Sequence, residues 1–189
     1  MNDLVALIRL ALVDPVAGGR RILSLNPSMA VRWMLLGAAI LVSVVLLYLV
    51  PLLMGDAGLL PSPFAFAATQ GVMNLVVIAL MTFVGRAFGG QGSFPDAVWL
   101  VGWMQVVTAV LLVAQIAALL VLPILNIPMG VASVALSIWV LVGFVCALHG
   151  FASRVAVLLG GFLTFIVVSF VLSMILLFLG IVPSEISNV

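Results

Sequence analysis

Polar residues fall in short clusters along this chain, separated by long apolar runs. Five runs, at about 34–54, 64–84, 97–122, 129–148 and 155–182, contain no Asp, Glu, Lys or Arg. A helix of about 20 apolar residues crosses roughly 30 Å of hydrocarbon, so each run predicts a transmembrane helix. The runs lack the alternation of apolar and polar positions that a transmembrane barrel strand needs. Their edges carry helix punctuation. Asn26-Pro27 and Ser62-Pro63 each place a capping side chain before a proline at a first helical position. Pro123, Asn126 and Pro128 confine the turn between the third and fourth runs.

The first 33 residues follow a different pattern. Asn2 can cap a helix in which Leu4, Val5, Ile8, Ala11 and Leu12 form one stripe, with Asp3 on the polar side and Arg9 able to snorkel. Asp14-Pro15 opens a second short segment. Together they predict two amphipathic helices at a membrane interface, with Arg20 and Arg21 near anionic headgroups. The alternative is a segment that only sets topology. A cleaved secretory signal does not fit, because Asp3 is acidic, Arg9 breaks the apolar core and Asp14-Pro15 stands where a cleavage motif would be. The predicted architecture is all-α: interfacial helices at 1–33, a five-helix transmembrane bundle at 34–182 and a short tail at 183–189.

Composition excludes a water-facing surface over most of the chain. Only 6% of residues are charged, against about 25% in soluble domains, and the mean hydropathy is +1.53. Six basic residues oppose five acidic ones, and none of the six is lysine. No basic stripe exists to neutralise phosphates, so nucleic acid is not an expected partner. Arg9, Arg20, Arg21 and Arg32 precede the first run, Arg86 follows the second and Arg154 follows the fourth. Positive residues in short flanking loops stay cytoplasmic, which predicts a cytosolic N-terminus and a C-terminus on the far side, with Asp56 and Glu185. The lack of lysine and the abundance of Ala, Val, Gly and Arg suit a GC-rich bacterial genome and hence a bacterial inner membrane.

The richest polar cluster is GRAFGGQGSFPDAVWLVGW, residues 85–103. Gly85, Gly89 and Gly90 let the second helix end and the chain reverse, and Ser93 with Asp96 has capping-box spacing. Arg86 and Asp96 could pair across the turn, and Trp99 and Trp103 are placed near headgroup level. Two motifs then stand out: G-G-x-G-S-F at Gly89 to Phe94, and W-x9-H-G-F-x-S from Trp139 to Ser153. With five spans after a cytosolic segment, they give a chain that resembles the Yip family, the Ypt/Rab-interacting proteins, in its bacterial branch. In eukaryotes that family is associated with small GTPases and with transport between endoplasmic reticulum and Golgi, through a longer N-terminal region with an Asp-Leu-Tyr-Gly-Pro-like motif. This chain has only DLVAL at Asp3 and DPVAGG at Asp14, so the resemblance implies the fold. The implied role is a non-enzymatic scaffold or adaptor that binds membrane lipid, or a membrane or peripheral protein. Arg20, Arg21, Arg86, Gly89, Gly90, Gly92, Asp96, His149 and Arg154 are the candidate partner-binding residues.

Within the spans, the polar candidates are amides. Gln70 and Asn74 share a face of the second span, and Gln105 and Gln115 lie in the third. Such groups cannot face lipid without losing hydrogen bonds, so they turn inward, either as interhelical glue or as the lining of a transport path. Small residues four apart (Ala39 and Ser43, Ala65 and Thr69, Ala114 and Ala118, Ser133 and Ser137) predict close helix packing, within one chain or between copies of a homo-oligomer. His149 lacks companion ligands for a metal and reads as a helix-end histidine in the C-terminal dipole. The methionines form no cluster of soft ligands, and Cys146 is a small buried hydrophobe. A nucleophile needs a base within reach, and one histidine at a span edge does not supply it, so neither an enzyme nor a bound cofactor is expected.

Overall fold

A computed structural model describes residues 2–54 and 62–179. The expected Asn2 side-chain cap, Asp56, Glu185 and the tail from 183 lie outside the described residues. Among the described residues seven α-helices follow one another: α1 (Asn2–Val13), α2 (Pro15–Leu23), α3 (Met29–Met54), α4 (Pro63–Ala87), α5 (Phe94–Val121), α6 (Asn126–His149) and α7 (Arg154–Phe178). A 3-10 turn, Pro123–Leu125, leads into α6. No strand is present among the described residues, and α3 to α7 are each long and apolar enough to cross a membrane. The helices outrun the apolar stretches at one end. Arg32, Arg86, Asp96 and Arg154 therefore lie inside helical turns and not in loops.

The caps explain several boundaries. Ser93 accepts a hydrogen bond from the Asp96 N–H, and Asp14 accepts one from Ala17 at the start of α2. Ser62 occupies the N-cap position before Pro63 but makes no side-chain cap bond. Asn26 caps nothing, because α3 begins three residues later, at Met29. Instead it takes a left-handed conformation, φ 38°, and offers its side-chain oxygen to Arg32. Asparagine is among the few residues that tolerate this region.

The chain divides into two compact units, Met1–Ala152 and Ser153–Val189. In the second, Ser153 caps α7 by accepting from the Ala156 N–H, and Arg154 is its first helical residue. In the first unit, α5 is central. Ala97, Val98, Leu100 and Val101 are at most 2% exposed, and α3 runs along α5 with Leu35 and Leu36 against Gly102. The core is concentrated at the arginine-bearing end. Buried residues run from Ala97 to Ala109 in α5 and from Val140 to His149 in α6, but the opposite halves of both helices have none. Of the four small-residue seams, Ala39 with Ser43 is buried, Ser43 Oγ donating to the Ala39 carbonyl.

The two N-terminal helices are short, as the pattern predicts, and α2 buries one face against the long helices. Pro15, Gly18, Gly19 and Ile22 of α2 are buried. Gly19 seats α2 against Ala147 and Phe144 of α6, and Gly143 makes room for Pro15.

Candidate functional site

Three polar clusters brace the arginine-bearing end of the first unit. The first is built around His149, the last residue of α6, which is 6% exposed. Its Nδ1 accepts a hydrogen bond from the Gly92 N–H at 3.0 Å, and its Nε2 lies 2.8 Å from the Met81 carbonyl of α4. A backbone N–H can only donate and a carbonyl can only accept, so the ring is neutral with its proton on Nε2. Phe151 stacks on the imidazole at 5.3 Å. The expected dipole interaction is therefore not what holds His149. Both ring nitrogens are committed to backbone atoms, leaving none to act as a base or to ligate a metal.

The glycine-rich turn is the wall of this socket. A Cβ at Gly85 or Gly90 would land on the His149 ring, and one at Gly92 would come within 2.6 Å of both the ring and Leu148. Close approach is thus the reason for these three glycines. Gly89 differs: nothing lies near it, but its φ of +85° requires left-handed backbone. It ends α4 in a Schellman motif, with Gly90 N–H donating to the Gly85 carbonyl and Gly89 N–H to the Arg86 carbonyl. Exposed Arg86 closes the turn by donating from Nε to the Gly92 carbonyl at 2.8 Å.

Arg86 and Asp96 do not pair, since each has another partner. Arg32 is the cation of Asp96, with Nη1 2.8 Å from Oδ1. The Asp96 Oδ2 accepts from Ser93 Oγ at 2.6 Å. Arg32 also donates from Nη2 to Asn26 Oδ1 at 2.7 Å and from Nε to the Pro27 carbonyl at 3.0 Å. All three guanidinium nitrogens are engaged, which allows a side chain only 6% exposed to remain charged. This clasp ties the α2–α3 connection and the starts of α3 and α5. Reading Arg32 only as a topology signal missed it, because an arginine's position in a sequence does not reveal its acceptors.

Trp99 and Trp103 are buried in the protein rather than exposed, and they pack edge to face at 6.0 Å. Trp99 Nε1 donates to the Ile22 carbonyl of α2 at 2.9 Å. Arg20 and Arg21 sit exposed in the last turn of α2, above this anchor. Arg154 belongs to the second unit, where it is half-buried.

The amides form a separate cluster. Asn74 Nδ2 donates to the Gln70 carbonyl at 2.8 Å, Gln105 Nε2 donates to Asn74 Oδ1, and Gln70 Nε2 lies 3.4 Å from Gln105 Oε1. Because the Gln70 carbonyl can only accept, it fixes the orientation of all three side-chain amides in turn. Gln115 stands apart and donates to Asn126 Oδ1 at 3.2 Å. It lines an open groove between α5 and α6 with Met104, Thr108, Gly130, Ser133 and Ser137. Gln70, Asn74 and Gln105 are thus brought together, while Gln115 is not.

Among the described residues, no group of three or more His, Cys, Asp or Glu could hold a metal ion. The Yip1 domain family model matches residues 10–181. Comparison with curated proteins and with solved structures gave no match.

Proposed function

The chain belongs to the Yip family of membrane proteins, and from that membership we propose that it is a non-enzymatic scaffold, binding a protein or lipid partner through its arginine-bearing face. By the distribution of arginines this face is cytosolic, and the lysine-free composition suits a bacterial inner membrane. The observation that carries the reading is the contrast between the polar groups spent on bracing the helices and the cations left exposed to a partner. His149, Arg32, Asp96 and Trp99 are consumed in bracing the helices. Arg20, Arg21 and Arg86 remain exposed on that base, and Phe88 beside them is 64% exposed. A preorganised surface binds with less loss of conformational entropy than a loose one.

A photocrosslinking amino acid at position 88, compared with one at exposed position 127 at the opposite end of α6, tests this reading in native membranes. A discrete adduct at 88 and none at 127 is the expected result. Adducts at 127 alone would contradict it. A transport path between α4 and α5 is the competing reading, and the amide network opposes it because Gln70, Asn74 and Gln105 bond to one another and to backbone. Gln105→Leu is expected to lower thermal stability by roughly the worth of one or two interhelical hydrogen bonds, about 0.6 kcal/mol each. A folded Gln105→Leu protein that loses solute flux would favour the path.

A further inference from the structure

We propose that α1 and α2 form a re-entrant hairpin, entering from the arginine-bearing face and turning near the middle of the bilayer, so that the tip at Val13 meets the acyl chains of one leaflet. This inference rests on packing depth and does not depend on the partner reading. The apolar run of α6 covers about 129–148, and Trp139 lies at its midpoint. Trp139 Nε1 donates to the Leu12 carbonyl, at the end of α1, at 3.2 Å. Ten residues of helix separate Trp139 from His149, which at 1.5 Å each is about 15 Å of depth. The chain then climbs back: Pro15 packs on Gly143, Gly19 on Ala147, and Ile22 reaches Trp99 near the start of α5. Ala11 lies against Gly18, where a Cβ would come within 2.7 Å of the Ala11 Cα, so α1 folds back on α2 at the turn.

The turn is also built for an apolar surrounding. Backbone polar groups in hydrocarbon must be satisfied internally. Asp14 N–H donates to the Leu10 carbonyl and the Asp14 carbonyl accepts from Gly18 N–H, both at 2.8 Å. Asp14 Oδ1 accepts from Ala17 N–H, Trp139 covers Leu12, and Pro15 has no N–H to satisfy. These bonds satisfy several of the backbone groups at the reversal. Val13, at the tip, is nevertheless 71% exposed, as a side chain meeting lipid would be. Arg9 lies about 4.5 Å along α1 from Leu12, on the side of the arginine-bearing surface, towards which its side chain extends. A hairpin of this depth adds cross-section to one leaflet only, which makes the protein a wedge in that leaflet.

Single cysteines in a Cys146→Ala background, at Val13, Ser28 and Ile127, test the placement in lipid vesicles. Ser28 reports the arginine-bearing surface and Ile127 the opposite one. The expected result for Val13→Cys is modification by a membrane-impermeant maleimide at least ~10-fold slower than for Ser28→Cys. Its nitroxide derivative should be accessible to oxygen and shielded from a water-soluble nickel chelate. Labelling as fast as at Ser28 would place the hairpin at the surface and overturn the proposal. Shielding from oxygen and nickel alike would place Val13 against protein, and would overturn the lipid contact.

Discussion

At the scale of single residues, the turn from Gly85 to Gly92 separates two reasons for glycine that look identical in a sequence. Gly85→Ala drives a methyl group onto the His149 ring, and overpacking of this kind costs about 1 to 3 kcal/mol. Gly89→Ala meets nothing and pays only for left-handed backbone, about 1 to 2 kcal/mol. The two are distinguished in combination with His149→Ala, by thermal unfolding in detergent. Removing the ring should relieve Gly85→Ala and leave the cost of Gly89→Ala unchanged. His149→Ala alone strands the buried Gly92 N–H, an expected loss of about 1 to 3 kcal/mol, with lost packing added. The sequence shows the glycines and the histidine but not that they meet, because 57 residues separate Gly92 from His149. Chain reversal was therefore the natural reading of Gly85, Gly89 and Gly90.

At the scale of elements, apolar run length located the five long helices, since crossing roughly 30 Å of hydrocarbon leaves few alternatives. The helix ends were less legible. Ser93 with Asp96 has the capping spacing and makes the capping bond, whereas Asn26-Pro27 has an equally good signature and does not. Helix α3 starts only at Met29, which leaves the Asn26 side chain to accept from Arg32, and no local pattern announces that pairing. Arg32→Lys keeps the charge but loses the planar fork that reaches three acceptors, so it is expected to destabilise the protein much as Asp96→Ala does. The size should be about 1 to 3 kcal/mol, below the 3 to 5 of a fully buried pair, because Asp96 is 38% exposed. Trp99→Phe removes the N–H that holds the Ile22 carbonyl. Amide exchange should accelerate across Pro15–Leu23 and stay unchanged in α4, and uniform acceleration would show that Trp99 acts through the core and not through this bond.

At the scale of the whole molecule, the first unit is tightly braced at one end and loosely packed at the other. The arginines made the special end visible in the sequence, since charge is costly in hydrocarbon and gathers where water is near. They gave no measure of how rigid that end is, because rigidity comes from Met81, Gly92, Asn26 and Ile22, whose contributions are mostly backbone atoms. In the proposed function this braced face holds a partner through its exposed guanidinium groups. Native mass spectrometry of the protein extracted in its own lipid tests it most directly, comparing the natural chain with the Arg20→Ala, Arg21→Ala, Arg86→Ala triple variant. A stoichiometric protein or anionic lipid is expected on the natural chain, and its loss from a triple variant whose five long helices remain intact. Equal retention of the same species by both chains would contradict it.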